Sequence, residues 1–258
     1  MLLRLLALLT VSIGVVRSAA AQVPYVEPAE RAFLFAFTAQ KEPKAPRQTH
    51  TWGLLVRCQG RQAAAIDVIS WLPQTGVIVP TRMTVEPGRN FGHQETLDWC
   101  RATGIGRVTV WGPLEVDGRV VERFVRQRAF LESGAPGYQC VDFVGEALVR
   151  QNGFNCVSAL DSIAGPTPTD LMQSYGDASG AMLTDLLVRR GWARPLGQED
   201  DWVFAAAEIR AVEEGLAFVR RAPPIMETRN FSGVALPLAL PLAGPGFDMP
   251  RSGFVPLH

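Results

Sequence analysis

Histidine is scarce in this chain: three residues, His50, His93 and His258, in 258. With so few, and with no H-E-x-x-H and no C-x-x-C, there is little to build a metal centre from, and none is expected. The chain lacks the G-x-S-x-G elbow of a serine hydrolase and the Walker loop of a nucleotide enzyme. Gly104-Ile105-Gly106 misses the third glycine of a dinucleotide loop, so no cofactor is expected either. Charge of one sign is not in excess, since 25 Lys and Arg balance 25 Asp and Glu. Without a basic face to neutralise phosphates, nucleic acid is excluded as a non-specific partner. No internal repeat stands out. Past the first residues, no apolar run is long enough to span a bilayer.

The first run is a different matter. Arg4 precedes an apolar stretch that ends at Arg17, and Ala19-Ala20-Ala21 supplies the small residues a signal peptidase cuts behind. The stretch falls short of the roughly 20 residues a spanning helix needs, which disfavours an uncleaved anchor. No lipobox cysteine lies near the cut. Residues 1–21 are therefore expected to be a signal peptide, and the protein to be secreted or periplasmic with no stable membrane insertion after cleavage. Losing Arg4 and Arg17 leaves a net charge of about −2. An apolar fraction of 47% and a charged fraction of 19% describe a globular chain with a real core. One domain is expected over residues 22–222, followed by a Pro/Leu-rich tail over 223–258. Cys58, Cys100, Cys140 and Cys156 allow three full pairings in an oxidising compartment, and spacing does not choose among them.

Hydrophobic patterning predicts a buried strand over Arg31–Thr38 and two more over Thr49–Arg57 and Ala63–Leu72, joined by the five residues Cys58-Gln59-Gly60-Arg61-Gln62 as a hairpin. A short helix over Gln94–Ala102, a strand over Arg107–Trp111 and a helix over Gly118–Leu131 with a Ser133-Gly134 stop follow. Tyr138–Phe143 reads as a further strand and Asn155–Ala164 as a short helix closed by Gly165-Pro166-Thr167-Pro168. Helices are expected near Gly180–Arg190 and over Val203–Arg221. Strands and helices are mixed without regular alternation, so the class is α+β, an antiparallel sheet packed against helices.

What chemistry remains is that of cysteine and histidine. Asn155 is a favoured helix cap and stands immediately before Cys156, while Val157, Leu160 and Ala164 fall on one face and would bury the helix. Cys156 then sits at the first helical position, where the helix dipole and free N–H groups favour a thiolate and can hold an oxyanion. Alternation along Thr49–Arg57 puts His50 on the side of Trp52, Leu54 and Val56, the apolar and hence inner face. A thiol nucleophile and its base need such a juxtaposition. His93, beside Gly92 at the start of a helix, reads as a surface or capping residue.

His50-Thr51-Trp52-Gly53-Leu54-Leu55-Val56 on a strand, followed about 100 residues later by Asn155-Cys156 and Leu160, resembles the circularly permuted branch of the NlpC-type papain-like hydrolases, to which the lecithin–retinol acyltransferase group belongs. The resemblance spans roughly Thr49 to Ala164. It implies a permuted papain-like fold in which Cys156 is nucleophile and His50 general base, acting on an amide or ester, with cleavage of a cell-wall peptide as the specific case for a bacterial source. The family's third polar residue sits on the next strand, opposite the histidine. A hairpin centred on Gly60 places Ser70 there, whereas Asp67 is the stronger orienting group but faces the other way, and a register shift or bulge would exchange them. Tyr138 matches, at a longer spacing, the tyrosine that many NlpC-type enzymes keep before the cysteine. The implied partner is a small-molecule or peptide substrate. The competing reading is a non-catalytic exported binding or structural domain of the same fold, with Cys156 buried or bonded to Cys140; a free Cys156 separates the two.

Overall fold

The computed structural model describes residues 31–82, 84–140, 153–164, 176–196, 201–207, 209, 212–213 and 216–222. The chain divides into two units, Met1–Ile225 and Met226–His258, and every described residue belongs to the first. The expected signal peptide, the tail over 223–258, Val141–Phe143 and the Gly165–Pro168 stop lie outside the described residues.

Phe33-Leu34-Phe35-Ala36-Phe37 has apolar side chains at every position, which suits a strand covered on both faces. That segment is the middle of β1 (Arg31–Gln40), and all five residues are fully buried. The elements that follow are β2 (Thr49–Gln59), β3 (Gln62–Ile69), β4 (Trp71–Pro73), β5 (Gly88–Asn90), α1 (His93–Ala102), β6 (Arg107–Val116) and α2 (Gly118–Glu132). Then come β7 (Gly137–Tyr138), β8 (Gly153–Phe154), α3 (Ser158–Asp161) with a 3-10 turn over Ser162–Ala164, and α4 (Asp177–Arg189). The last are β9 (Ala193–Pro195), α5 (Trp202–Ala206), β10 (Val212–Glu213) and β11 (Leu216–Arg221). The principal sheet runs β10-β11-β6-β1-β2-β3, with β9 also on β6. Its pairs are antiparallel except β11 with β6, which is parallel. The α+β class holds. No helix among the described residues is long and apolar enough to cross a membrane.

Two helical layers sandwich this sheet, and β2 shows which elements belong to each. On its even-numbered side, Trp52 gives its indole N–H to His93 of α1 at 3.2 Å. Phe33 and Phe35, on the same face of β1, pack edge-on against Trp202 and Phe204 of α5, with centroids 5.5 and 5.1 Å apart. On the odd-numbered side, Thr51 bonds Ser179 of α4 at 2.6 Å, and Gly53 lies under Leu160 of α3 and Phe124 of α2. Each fully buried Phe or Leu contributes about 1.5–3 kcal/mol, so both layers are held by the hydrophobic effect acting on a sheet with no wet face at its centre.

Helix ends are set by local chemistry. Asp117 caps α2, its carboxylate accepting from the N–H groups of Arg119 (3.0 Å) and Val120 (3.3 Å). Two expectations are corrected. The β2–β3 connection is the two residues Gly60-Arg61, not five, with Gly60 at φ +60° supplying the left-handed position that such a tight hairpin needs. The helix expected over Val203–Arg221 stops at Ala206, and Leu216–Arg221 pairs instead with β6, Phe218 opposite Val108 and Val219 opposite Thr109. Leu-Ala-Phe-Val carries no strong local preference, and the open edge of β6 decides it.

A side chain at Gly53 has no room: a Cβ there would lie 3.1 Å from both Leu160 and Phe124. Gly53→Val should therefore destabilise the protein by about 1–3 kcal/mol through overpacking, read as a lower urea midpoint with an unchanged slope.

Candidate active site

The β2–β3 hairpin decides what stands beside His50. A turn centred on Gly60 would place His50 opposite Ser70. The observed pairs are Cys58↔Ala63 and then, past a bulge, Arg57↔Ala65 through Gly53↔Ile69. The tight turn moves the register by one residue and the bulge moves it by another. Two one-residue shifts preserve parity, so Ser70 stays on the His50 side and Asp67 on the other. His50 Nε2 and Ser70 Oγ are 2.8 Å apart, and both residues are fully buried. Asp67 is not part of this group. It forms an ion pair with Arg57 at 3.1 Å and another with Arg128 of α2, on the opposite face of the sheet.

Residues that the sequence did not single out hold Ser70 in place. Thr96 of α1 donates its hydroxyl to Ser70 Oγ at 2.7 Å, and the Ser70 N–H donates to Asn90 Oδ1 at 2.7 Å. The imidazole lies over Trp52, centroids 5.5 Å apart and nearly parallel, with Trp99 edge-on at 5.4 Å. His50 Nδ1 is buried and has no hydrogen-bond partner among the described residues. Burial pushes the His50 pKa down to about 3, so the ring is neutral. His93, expected as a surface or capping residue, opens α1 next to its cap Gly92 and is half-buried against Trp52 and Phe37.

Cys156 comes from the other layer. Asn155 caps the turn that leads into α3: its side-chain oxygen accepts from the N–H groups of Val157 (2.9 Å) and Ser158 (2.8 Å), and its carbonyl from Ala159 (3.0 Å). Cys156 lies in that turn, two residues before α3 begins at Ser158, and not at the first helical position expected from the sequence. The β3 ladder ends at Gly53↔Ile69, and beyond it the N–H of Thr51 meets the Cys156 sulfur, as do those of Cys156 itself and Val157. The thiol therefore lies against the main chain of the residue next to His50. The imidazole, however, projects into the α1 layer while α3 lies in the opposite one, and the two side chains are not hydrogen-bonded.

The expected thiolate is corrected by the same burial. Desolvation pushes the Cys156 pKa up to about 12, and the three N–H groups, which act in the opposite direction, do not offset it. Tyr138, on β7, is buried and bonded through its main chain to Glu86. Its hydroxyl hydrogen-bonds the Cys140 thiol, and burial, reinforced by Cys156 and Cys140, holds its pKa well above the usual phenol range. All four cysteines are free thiols. Among the described residues no three of His, Cys, Asp and Glu converge as metal ligands would. The structure therefore groups His50 with Ser70, and Cys156 with Cys140 and Tyr138, on either side of Thr51, and leaves Asp67 out.

No protein-family model, no curated protein and no solved structure matches the chain.

The buried imidazole makes the fold sensitive to acid. An unfolded histidine takes up a proton near pH 6.5, whereas His50 in the fold does so only near 3. Stability from this group is complete above about pH 6.5 and is lost as pH falls towards 3, by at most about 1.4 kcal/mol per pH unit. His50→Gln should remove that share of the slope. Urea midpoints of both proteins between pH 7 and pH 4 check it.

Proposed function

We propose that the chain is an exported thiol hydrolase or acyltransferase acting on an amide or ester, with Cys156 as nucleophile, His50 as base and Ser70 as the residue that orients the base. A peptide amide of a bacterial cell wall is the substrate class that the permuted NlpC-type resemblance suggests. The observation that carries the reading is the open, buried Nδ1 of His50, held by Ser70 through the other ring nitrogen, one residue from the N–H that meets the Cys156 sulfur. An unpaired polar atom in a dry core is costly and calls for a role.

In this reading Nδ1 takes the thiol proton as sulfur adds to the substrate carbonyl. The tetrahedral oxyanion collapses to a thioester, and the imidazolium returns its proton to the departing amine or alkoxide. Water or an acceptor hydroxyl then attacks the thioester, with His50 again as base, and the thiol is restored. The N–H groups of Cys156 and Val157 supply the kind of donors that stabilise an oxyanion.

Magnitudes describe the present arrangement as a resting one. Burial raises the thiol pKa and lowers that of the imidazole, so moving a proton from the first to the second is strongly uphill as they stand. Substrate entry has to bring the ring and the sulfur together and relieve the desolvation of both. The same two pKa values and the opposite projection of the imidazole favour a second reading, a non-catalytic exported domain that keeps the fold; the free Cys156 and Cys140 thiols favour the enzyme.

Substitution separates the two. Cys156→Ala and His50→Ala should each lower hydrolysis of peptide-amide or ester substrates by at least about a thousand-fold. Cys156→Ala should cost little stability, because a thiol-to-methyl change leaves almost no cavity. Ser70→Ala should lower kcat by about ten- to a hundred-fold with KM unchanged. Wild-type protein without turnover on either substrate class, or turnover that survives Cys156→Ala, would leave the binding-domain reading.

A further inference from the structure

Arg119, Glu122, Arg123, Arg126 and Phe130 recur at intervals of three and four along α2 and so share one face. With Ser162 they line a cavity of about 480 Å³, within the size range of small-molecule sites. The thiol chemistry proposed above uses none of these residues.

The cavity's charge is unbalanced. Arg126 is ion-paired with Glu122, and Arg119 with Asp117, whose carboxylate accepts from its Nε at 2.8 Å. Arg123 has no carboxylate partner among the described residues; its Nη1 donates to the Ser162 carbonyl at 3.2 Å. A single indole, Trp192, gathers three guanidinium carbons, those of Arg119, Arg123 and Arg190, at 5.2, 5.1 and 5.2 Å from the ring. That brings the three cations within about one Debye length of each other at 0.1 M salt. Contact with an aromatic face is a modest gain at an exposed site. Arg119 and Arg123 belong both to this cluster and to the cavity wall, and of the three guanidiniums on that wall only Arg123 lacks a carboxylate among the described residues.

The far end of the same wall is apolar. Phe130 is 38% exposed, one of three exposed large hydrophobic side chains among the described residues, and its ring meets Phe154 edge-on with centroids 5.7 Å apart. Phe130 is one helical turn from Arg126, so cations and aromatic surface follow each other along one groove.

We propose that this cavity is a binding site for an organic phosphate monoester, its dianion held by Arg123, Arg126 and Arg119 and its organic part lying on Phe130. A phosphate monoester carries a charge of about −1.5 to −2 and three acceptor oxygens, which suit several guanidinium forks at once. A monocarboxylate brings a single charge and two acceptor oxygens, and so meets fewer of these forks at once.

Calorimetric titration of the full chain with phenyl phosphate, inorganic phosphate and benzoate at 50 mM salt tests the site without recourse to catalytic activity. Phenyl phosphate should bind saturably, more tightly than the other two, and more weakly as salt is raised. Arg123→Gln should weaken it at least ten-fold, and Phe130→Ala should bring it to the level of inorganic phosphate. Arg61→Gln, in the exposed β2–β3 turn, should change nothing. Should Arg123→Gln fail to fold, Arg126→Gln, whose side chain is 62% exposed, carries the same expected loss. No saturable binding of phenyl phosphate up to millimolar concentration, benzoate binding as tightly, or an equal loss in Arg61→Gln would overturn the proposal.

Discussion

The register of the β2–β3 hairpin is the constraint on which the rest of the site depends. A tight turn at Gly60 and a bulge at Arg57/Cys58 each shift the pairing by one residue, and together they return every side chain to its original face. Had only one of the two been present, Asp67 would stand on the face of His50, and Ser70 would face α2. As it is, the carboxylate meets two arginines, Arg57 and Arg128, and the hydroxyl meets the imidazole. Burying a carboxylate without such partners is costly. The Asp67 ion pairs therefore reinforce the register that Ser70 and His50 need.

The same packing that stabilises the fold sets the state of its titratable groups. His50 and Tyr138 are fully buried and Cys156 is half-buried, and burial is the largest influence on the pKa of each. All three are consequently neutral near pH 7. A dry, neutral site stabilises the sheet it belongs to but withholds reactivity from the thiol until the local environment changes. Stability and reactivity thus pull in opposite directions on one residue, and Cys156 stands at that point.

Features governed by near neighbours were readable in the sequence. Asn155 before Cys156 announced a cap, and its side chain does bond the N–H groups of Val157 and Ser158. The apolar run of β1 announced a buried strand, and the alternation around His50 put it correctly with Trp52 and Leu54. Features governed by distant partners were not. Alternation names an inner face only when the other face is wet, and β2 is buried on both, so nothing local said that His50 would face α1 while Cys156 arrived with α3. Thr96 and Asn90 reach Ser70 across more than 20 positions or close to it, through packing that no spacing encodes. Leu216–Arg221 became a strand because β6 had an open edge. The raised thiol pKa of Cys156 reflects how deeply its helix is covered, which a cap motif does not reveal.

The account's central claim is that Cys156 is a nucleophile assisted by His50. It is tested most directly by exposing the protein to an activated acyl ester, quenching in acid and locating the acyl group by peptide mass spectrometry. The account predicts a thioester on the peptide carrying Cys156, absent when His50 is replaced by Ala, with Cys140 unmodified. An adduct shared between Cys140 and Cys156, or one that forms equally without the histidine, would contradict it.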